Sequence, residues 1–140
     1  MLQTGQAHMR DVSRGVYRFL RANRHWRILG EGQYPLLQWS ELEEWSGDGL
    51  IAIPNTNEQF QALLDKGVPV VNAGSRFVHK NVTTVSCDSE AIGRMAAEHL
   101  LGCRLRHFLF VGELLWHNEK QRYKAFSETI ENATCRCEFL

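Results

Sequence analysis

Residues 47 to 54 read GDGLIAIP, a glycine-rich turn, four apolar residues and a proline. Leu50, Ile51, Ala52 and Ile53 show no polar alternation, so neither side of the segment is written for water. An apolar run of that length, closed by Pro54, suits a strand of a parallel sheet covered on both faces. Gly47 and Gly49 let the chain turn into it, because glycine accepts the positive φ that helix-to-strand joints often demand. The pattern returns downstream: Val68-Pro69-Val70-Val71 follows Gly67, a short segment runs from Val82 to Ser86, and His107 to Val111 is a further apolar strand.

Helical spacing fills the intervals. Asp11 to His25 places Val12, Val16, Phe19 and Leu20 on one face and Arg10, Arg14, Arg18 and Arg21 opposite, where a basic stripe reads as the solvated side. Trp26 to Leu29 reads as a short strand closed by Gly30, and Leu36 to Trp45 as a helix after the Tyr34-Pro35 break. Thr56-x-x-Gln59 is a capping box for a helix carrying Phe60, Leu63 and Leu64. Ser89 to Leu101 predicts a helix with Ile92, Met95, Ala96 and Leu100 inward, and Asn118 to Glu131 one with Tyr123, Phe126 and Ile130 inward. Strand and helix alternate from Trp26 onward, which predicts an α/β fold with a doubly wound, mainly parallel sheet.

The chain has 140 residues, enough to bury a core, with 44% apolar and 23% charged residues. Sixteen Lys and Arg balance sixteen Asp and Glu, so no global charge points to nucleic acid or an anionic membrane. No apolar run approaches the roughly 18 residues of a membrane span, and no signal-peptide pattern opens the chain. Cys87, Cys103, Cys135 and Cys137 lack paired zinc knuckles and read as reduced thiols of a cytoplasmic protein, with neither metal nor cofactor expected.

In an open parallel sheet, ligands bind beyond the carboxyl ends of the strands. There the sequence offers Pro54-Asn55-Thr56-Asn57, Asn72-Ala73-Gly74-Ser75-Arg76, Cys87-Asp88 and Gly112-Glu113, a set rich in amides and hydroxyls and poor in acid–base pairs. It suits hydrogen bonding to a polyhydroxylated small molecule better than catalysis. Asp88 has two readings, as N-cap of the helix at Ser89 and as ligand contact, and its two oxygens allow both. Arg122 lies near a helix N-terminus, where positive charge is disfavoured, which suggests a job elsewhere. Gly30-Glu31-Gly32 lacks the third glycine of a dinucleotide loop, and neither a phosphate-binding loop nor a G-x-S-x-G elbow occurs. His99 reads as a packed core side chain, and His79 and His117 as loop residues. No enzyme is expected.

Three stretches resemble one family: Asp48 to Pro54 (DGLIAIP), Gly67 to Asn72 (GVPVVN), and Val85 to Leu101 (VSCDSEAIGRMAAEHLL) followed by Arg106 to Gly112 (RHFLFVG). In order and spacing they are similar to the effector-binding domain of lactose-repressor-type regulators, with its periplasmic-binding-protein-like type I fold. The finer resemblance is to xylose-operon regulators, through Ala7-His8-Met9-Arg10 and through Arg122-Tyr123-Lys124-Ala125-Phe126, where Ala125 stands in place of the family's glycine. It covers about Gln3 to Phe126.

The resemblance implies a cytoplasmic, non-catalytic sugar sensor, with residues 1–104 as first lobe and 105–140 as the beginning of the second. A ligand, a pentose for this subfamily, would sit between lobes. Asp88 and Arg122 match positions gripping ligand hydroxyls from opposite lobes, His8 falls in the loop after the first strand, and Asn72 is a candidate by position. A first strand ahead of Thr4 is implied, of which Met1-Leu2-Gln3 remain. The second lobe is read as stopping after one strand and one helix, and DNA is contacted only through a module that this chain does not carry. The chain alone is therefore expected neither to close around sugar nor to bind DNA specifically, and pairing through first-lobe helices is implied as a homodimer. Two other classes stay open beside this one. A stand-alone α/β interaction module would show no ligand-dependent melting shift, and a flavodoxin-like enzyme would bind flavin or nucleotide.

Overall fold

The computed structural model describes residues 7–23, 26 and 39–140. Its elements run α1 (Ala7–Ala22), β1 (Leu50–Ala52), α2 (Asn57–Asp65), β2 (Val70–Asn72) and β3 (Thr83–Thr84). Then follow α3 (Ser89–Gly102), β4 (His107–Phe110), α4 (His117–Asn132) and β5 (Arg136–Phe139). They form two compact units, Met1–Gly74 with His79–Val85, and Ser75–Val78 with Ser86–Leu140. This division falls ahead of α3, whereas the sequence reading puts the change of lobe at residue 104.

In the first unit β1, β2 and β3 lie side by side in that order, all parallel, with Leu50 opposite Val70 and Val71 opposite Thr83. Successive β1 residues go to opposite faces. Leu50 and Ala52 join Leu42 and Leu63 of α2, while Ile53 and the half-buried Ile51 join Ala73, Met9 and Val12 of α1. Both faces are covered, as the unalternating apolar run requires. Thr56 caps α2, its Oγ1 accepting the Gln59 N–H at 3.2 Å, while Gln59 Oε1 accepts the N–H of Asn55 at 2.8 Å rather than that of Thr56. Lys66, at the end of α2, donates from Nζ to the carbonyls of Glu43 (2.7 Å) and Trp45 (3.0 Å), and Gly67 turns the chain at φ 65°.

Several expectations change here. α1 begins at Ala7 rather than Asp11, and Phe19 stands 51% exposed, edge-on to Trp26 at 5.2 Å, instead of inward. Met9 and Ser13 take the buried face, and the four arginines are exposed, with Arg14 paired to Asp11 at 2.8 Å. The Leu36 to Trp45 helix is, in its described part, a 3-10 turn at Trp39–Glu41, enough to bury Leu42. Residues 36–38, the expected strand at 27–29 and the segment before residue 7 lie outside the described residues. Among described glycines only Gly67 has positive φ. At Gly47 the constraint is space instead, since a Cβ there would displace the Trp45 ring.

In the second unit β4 and β5 are parallel, with His107 opposite Arg136 and Phe110 opposite Phe139. β5 follows α4 directly, so the chain continues beyond the one strand and one helix expected for this region. Ala97, Phe108, Phe126 and Ile130 form the core, bordered by Leu100, Leu101 and Phe110. Phe110 meets Phe126 at 5.6 Å and Tyr123 at 5.3 Å, both edge-on. α3 turns Ser89, Gly93 and Ala97 inward, whereas Ile92 (41%) and Met95 (66%) are exposed, with Ala96 and His99. Closeness explains the reversal: a Cβ on Gly93 would strike the Arg122 carbonyl oxygen and sit 3.0 Å from its carbon, so small side chains are what the contact admits.

Candidate functional site

Parallel β4 and β5 fix the direction of α4, and α3 lies against it through Gly93, so the cap of α3 and the first two turns of α4 carry the polar candidates of the second unit. Asp88 is the N-cap of α3. Its Oδ1 accepts the Ala91 N–H at 2.8 Å, which completes the capping reading and leaves Oδ2 without a partner among the described residues. The side chain is exposed, so the second oxygen is open to another donor.

Arg122 lies in the second turn of α4, one turn past Glu119. Its Nη1 donates to Glu119 Oε1 at 3.0 Å, with the Arg122 side chain 32% exposed. Glu119 thereby resolves the conflict of an arginine near a helix N-terminus, since the carboxylate is favoured in the first turn and neutralises the guanidinium. Asn118 Nδ2 donates to the same oxygen at 3.2 Å. The spacing Glu119-x-x-Arg122 was the available signal for this partner, which the sequence reading missed. Three buried polar atoms in this region, Ser89 Oγ, Asn118 Oδ1 and Arg122 Nε, have no hydrogen-bond partner among the described residues. Unmet capacity of this kind is costly in a protein interior and marks a place that a polar ligand or water can satisfy.

The other two candidates belong to the first unit. Asn72 ends β2, fully buried, and its Oδ1 accepts the Gly74 N–H at 2.9 Å, a local turn bond that gives the side chain structural work. His8 falls in the first turn of α1 rather than in a loop, and its side chain lies outside the described residues. Asp88 and Arg122 thus share one compact unit, on two helices in contact, rather than standing on separate ones. Arg76, from the polar loop after β2, is committed elsewhere. Its guanidinium lies 5.0 Å over the Trp116 ring, its carbonyl accepts the His117 N–H at 3.2 Å, and Phe77 meets Trp116 edge-on at 5.4 Å. Those contacts serve the start of α4, whose N-cap Trp116 offers no side-chain cap. Among the described residues no three His, Cys, Asp or Glu gather as a metal site would need, and no helix is long and apolar enough to cross a membrane.

Residues 1–86 match the family described as the XylR N-terminal domain. The chain belongs to that family. Its resemblance to the xylose operon regulatory protein of Escherichia coli strain K12 is 28% identity over 117 residues, 80% of this chain and 30% of that protein. The chain therefore spans less than a third of the curated relatives that it matches. Among solved structures, the xylose-binding transcription activator xylR is 25% identical with a TM-score of 0.74, over 100% of this chain and 36% of that one. The transcription regulator CcpA of Lactococcus lactis, 15% identical, shares the fold with a TM-score of 0.79 over 99% of this chain and 56% of its own. Parallel sheets flanked by helices here and lactose-repressor-type neighbours there establish the XylR member's fold as α/β, periplasmic-binding-protein-like type I.

Proposed function

We propose that this XylR-family chain is a sugar-sensing segment of a transcription regulator, binding a pentose without catalysing a reaction. The observation that carries the reading is the presence, in one unit, of an exposed Asp88 oxygen and the Arg122 guanidinium, together with buried polar atoms that lack hydrogen-bond partners among the described residues. A carboxylate that accepts and a guanidinium that donates suit vicinal hydroxyls. The relatives named above, a xylose operon regulatory protein and a xylose-binding transcription activator, support the ligand class. In this reading Asn72 supports the turn at the end of β2, and His8 is a further ligand contact implied by the resemblance alone. A cytoplasmic location, self-pairing, and DNA contact through a module outside these residues belong to the same proposal. The interaction-module alternative gains nothing from relatives that are transcription regulators by name.

Titration of the isotope-labelled chain with D-xylose, followed by amide shifts, tests it. The expected outcome is weak binding, with a Kd of roughly 1 mM or above, equivalent to about −4 kcal/mol or weaker. Shifts should centre on Asp88 to Ala91 and Glu119 to Arg122. A spectrum unmoved at saturating pentose would count against the proposal, as would shifts confined to other surfaces.

A further inference from the structure

Gly93 stands one turn after Ser89 on the buried face of α3 and meets not a side chain of α4 but its backbone, at Arg122. A Cβ placed on Gly93 would collide with the Arg122 carbonyl oxygen and lie 3.0 Å from its carbonyl carbon and 3.1 Å from its Cα. Helical backbone cannot yield as the tip of a flexible side chain can, so any larger residue must push the helices apart. The site of that push is the residue whose guanidinium pairs with Glu119 and whose Nε is buried without a partner among the described residues. Asp88, the cap of α3, lies five residues earlier on the same rigid helix. The separation between the Asp88 carboxylate and the Arg122 guanidinium therefore depends on this contact, the close backbone approach nearest to both.

We infer that Gly93 is a positioning residue for ligand recognition: it fixes the spacing of Asp88 and Arg122 by admitting the Arg122 backbone against α3. The inference rests on the pentose-binding reading and adds to it a residue that touches no ligand. Packing one turn further on is a different matter. Ala97 faces the apolar core of Phe108, Phe126 and Ile130, so a larger side chain there strains the core first, one turn farther along α3 from Asp88.

The test compares Gly93→Ala and Ala97→Val in the full chain, by D-xylose shift titration at low temperature, with melting recorded separately. Gly93→Ala should raise the Kd by about tenfold or more and shift the Arg122 Nε–H resonance, while Ala97→Val lowers the melting temperature and holds the Kd within about twofold. A merely structural role for Gly93 would move melting and leave the Kd of the folded protein alone, and that result overturns the inference. Equal loss of affinity in both variants overturns it too. Should Gly93→Ala unfold, sucrose is added to restore the compact state, and a chain that stays unfolded makes Gly93 a folding residue, against the proposal. An unaltered chain that binds no pentose overturns the functional reading first and this inference with it, whereas binding equal in the unaltered chain and Gly93→Ala overturns this inference alone.

Discussion

In the first unit, β1 and the residue that follows it send Leu50 and Ala52 toward α2 and Ile51 and Ile53 toward α1. In the second, Phe108 and Phe110 meet the α3–α4 layer, while Leu109 and Val111 remain 54% and 68% exposed. The two strands read almost alike as sequence, each an apolar run with no polar alternation. They differ in what lies on their second face. A buried leucine and an open one contribute very differently to stability, because the hydrophobic gain follows area removed from water rather than residue type.

The sharpest way to break this contrast is a pair of truncations. Leu63→Ala, at a fully buried position of the first unit, should cost about 2–5 kcal/mol in urea unfolding followed by circular dichroism. Leu109→Ala should fall within about 0.5 kcal/mol of the unaltered chain. A Leu109→Ala cost near that of Leu63→Ala would mean that the outer face of β4 is covered after all. Next in size are the helix caps, one in each unit. Thr56→Ala and Asp88→Ala should each cost about 1 kcal/mol, since each removes a side-chain acceptor from a first-turn N–H. Asp88→Asn separates the two roles of that residue: the cap survives with an amide oxygen, and melting stays near the unaltered value while pentose affinity falls.

The smallest expected effects are opposite pH limits. Every cysteine lies in the second unit, and burial, helped by the negative charge of Glu131, pushes the Cys137 thiol above its ordinary value of 9.0. The folded form holds that proton more tightly, so this contribution is complete below the ordinary value and declines as pH rises past it. Melting of the second unit should weaken on that alkaline side, and Cys137→Ser should remove the slope. In the first unit the Thr56 hydroxyl holds the Glu58 carboxyl below its ordinary 4.5, so its contribution is present above that value and lost as pH falls through the lowered one. Exposure of Glu58 keeps that loss slight, and an acid slope unchanged by Glu58→Gln would remove Glu58 from the account.

What could be read in the sequence follows from which forces act locally. The covered strand at Leu50 and the Thr56 cap are settled by a few adjacent residues and form where expected, whereas the positive φ expected at Gly47 and Gly49 falls instead at Gly67. The inward face of α3 was misread because periodicity weighs bulk, favouring Ile92 and Met95, whereas close helix packing selects the small residues Ser89, Gly93 and Ala97. β5 escaped notice because Arg136 and Glu138, paired at 3.3 Å across its exposed side, interrupt any apolar run. At the site, the Asp88 cap was legible from residue type and position. The support of Arg122 by Glu119 was present as a helical spacing, but its contact with Gly93 joins residues 29 apart and belongs to the tertiary structure alone.

The chain passes between its two units at three joints, after Gly74, after Val78 and after Val85. Dissection inherits a difficulty from this threading. A fragment ending at Val85 would carry Arg76 and Phe77 without Trp116, and one beginning at Ser86 would carry Trp116 without them, leaving the His117 amide uncapped. Recombination between related regulators faces the same constraint: a crossover placed between the third joint and α4 exchanges an arginine–indole pair whose halves must then be matched from different parents.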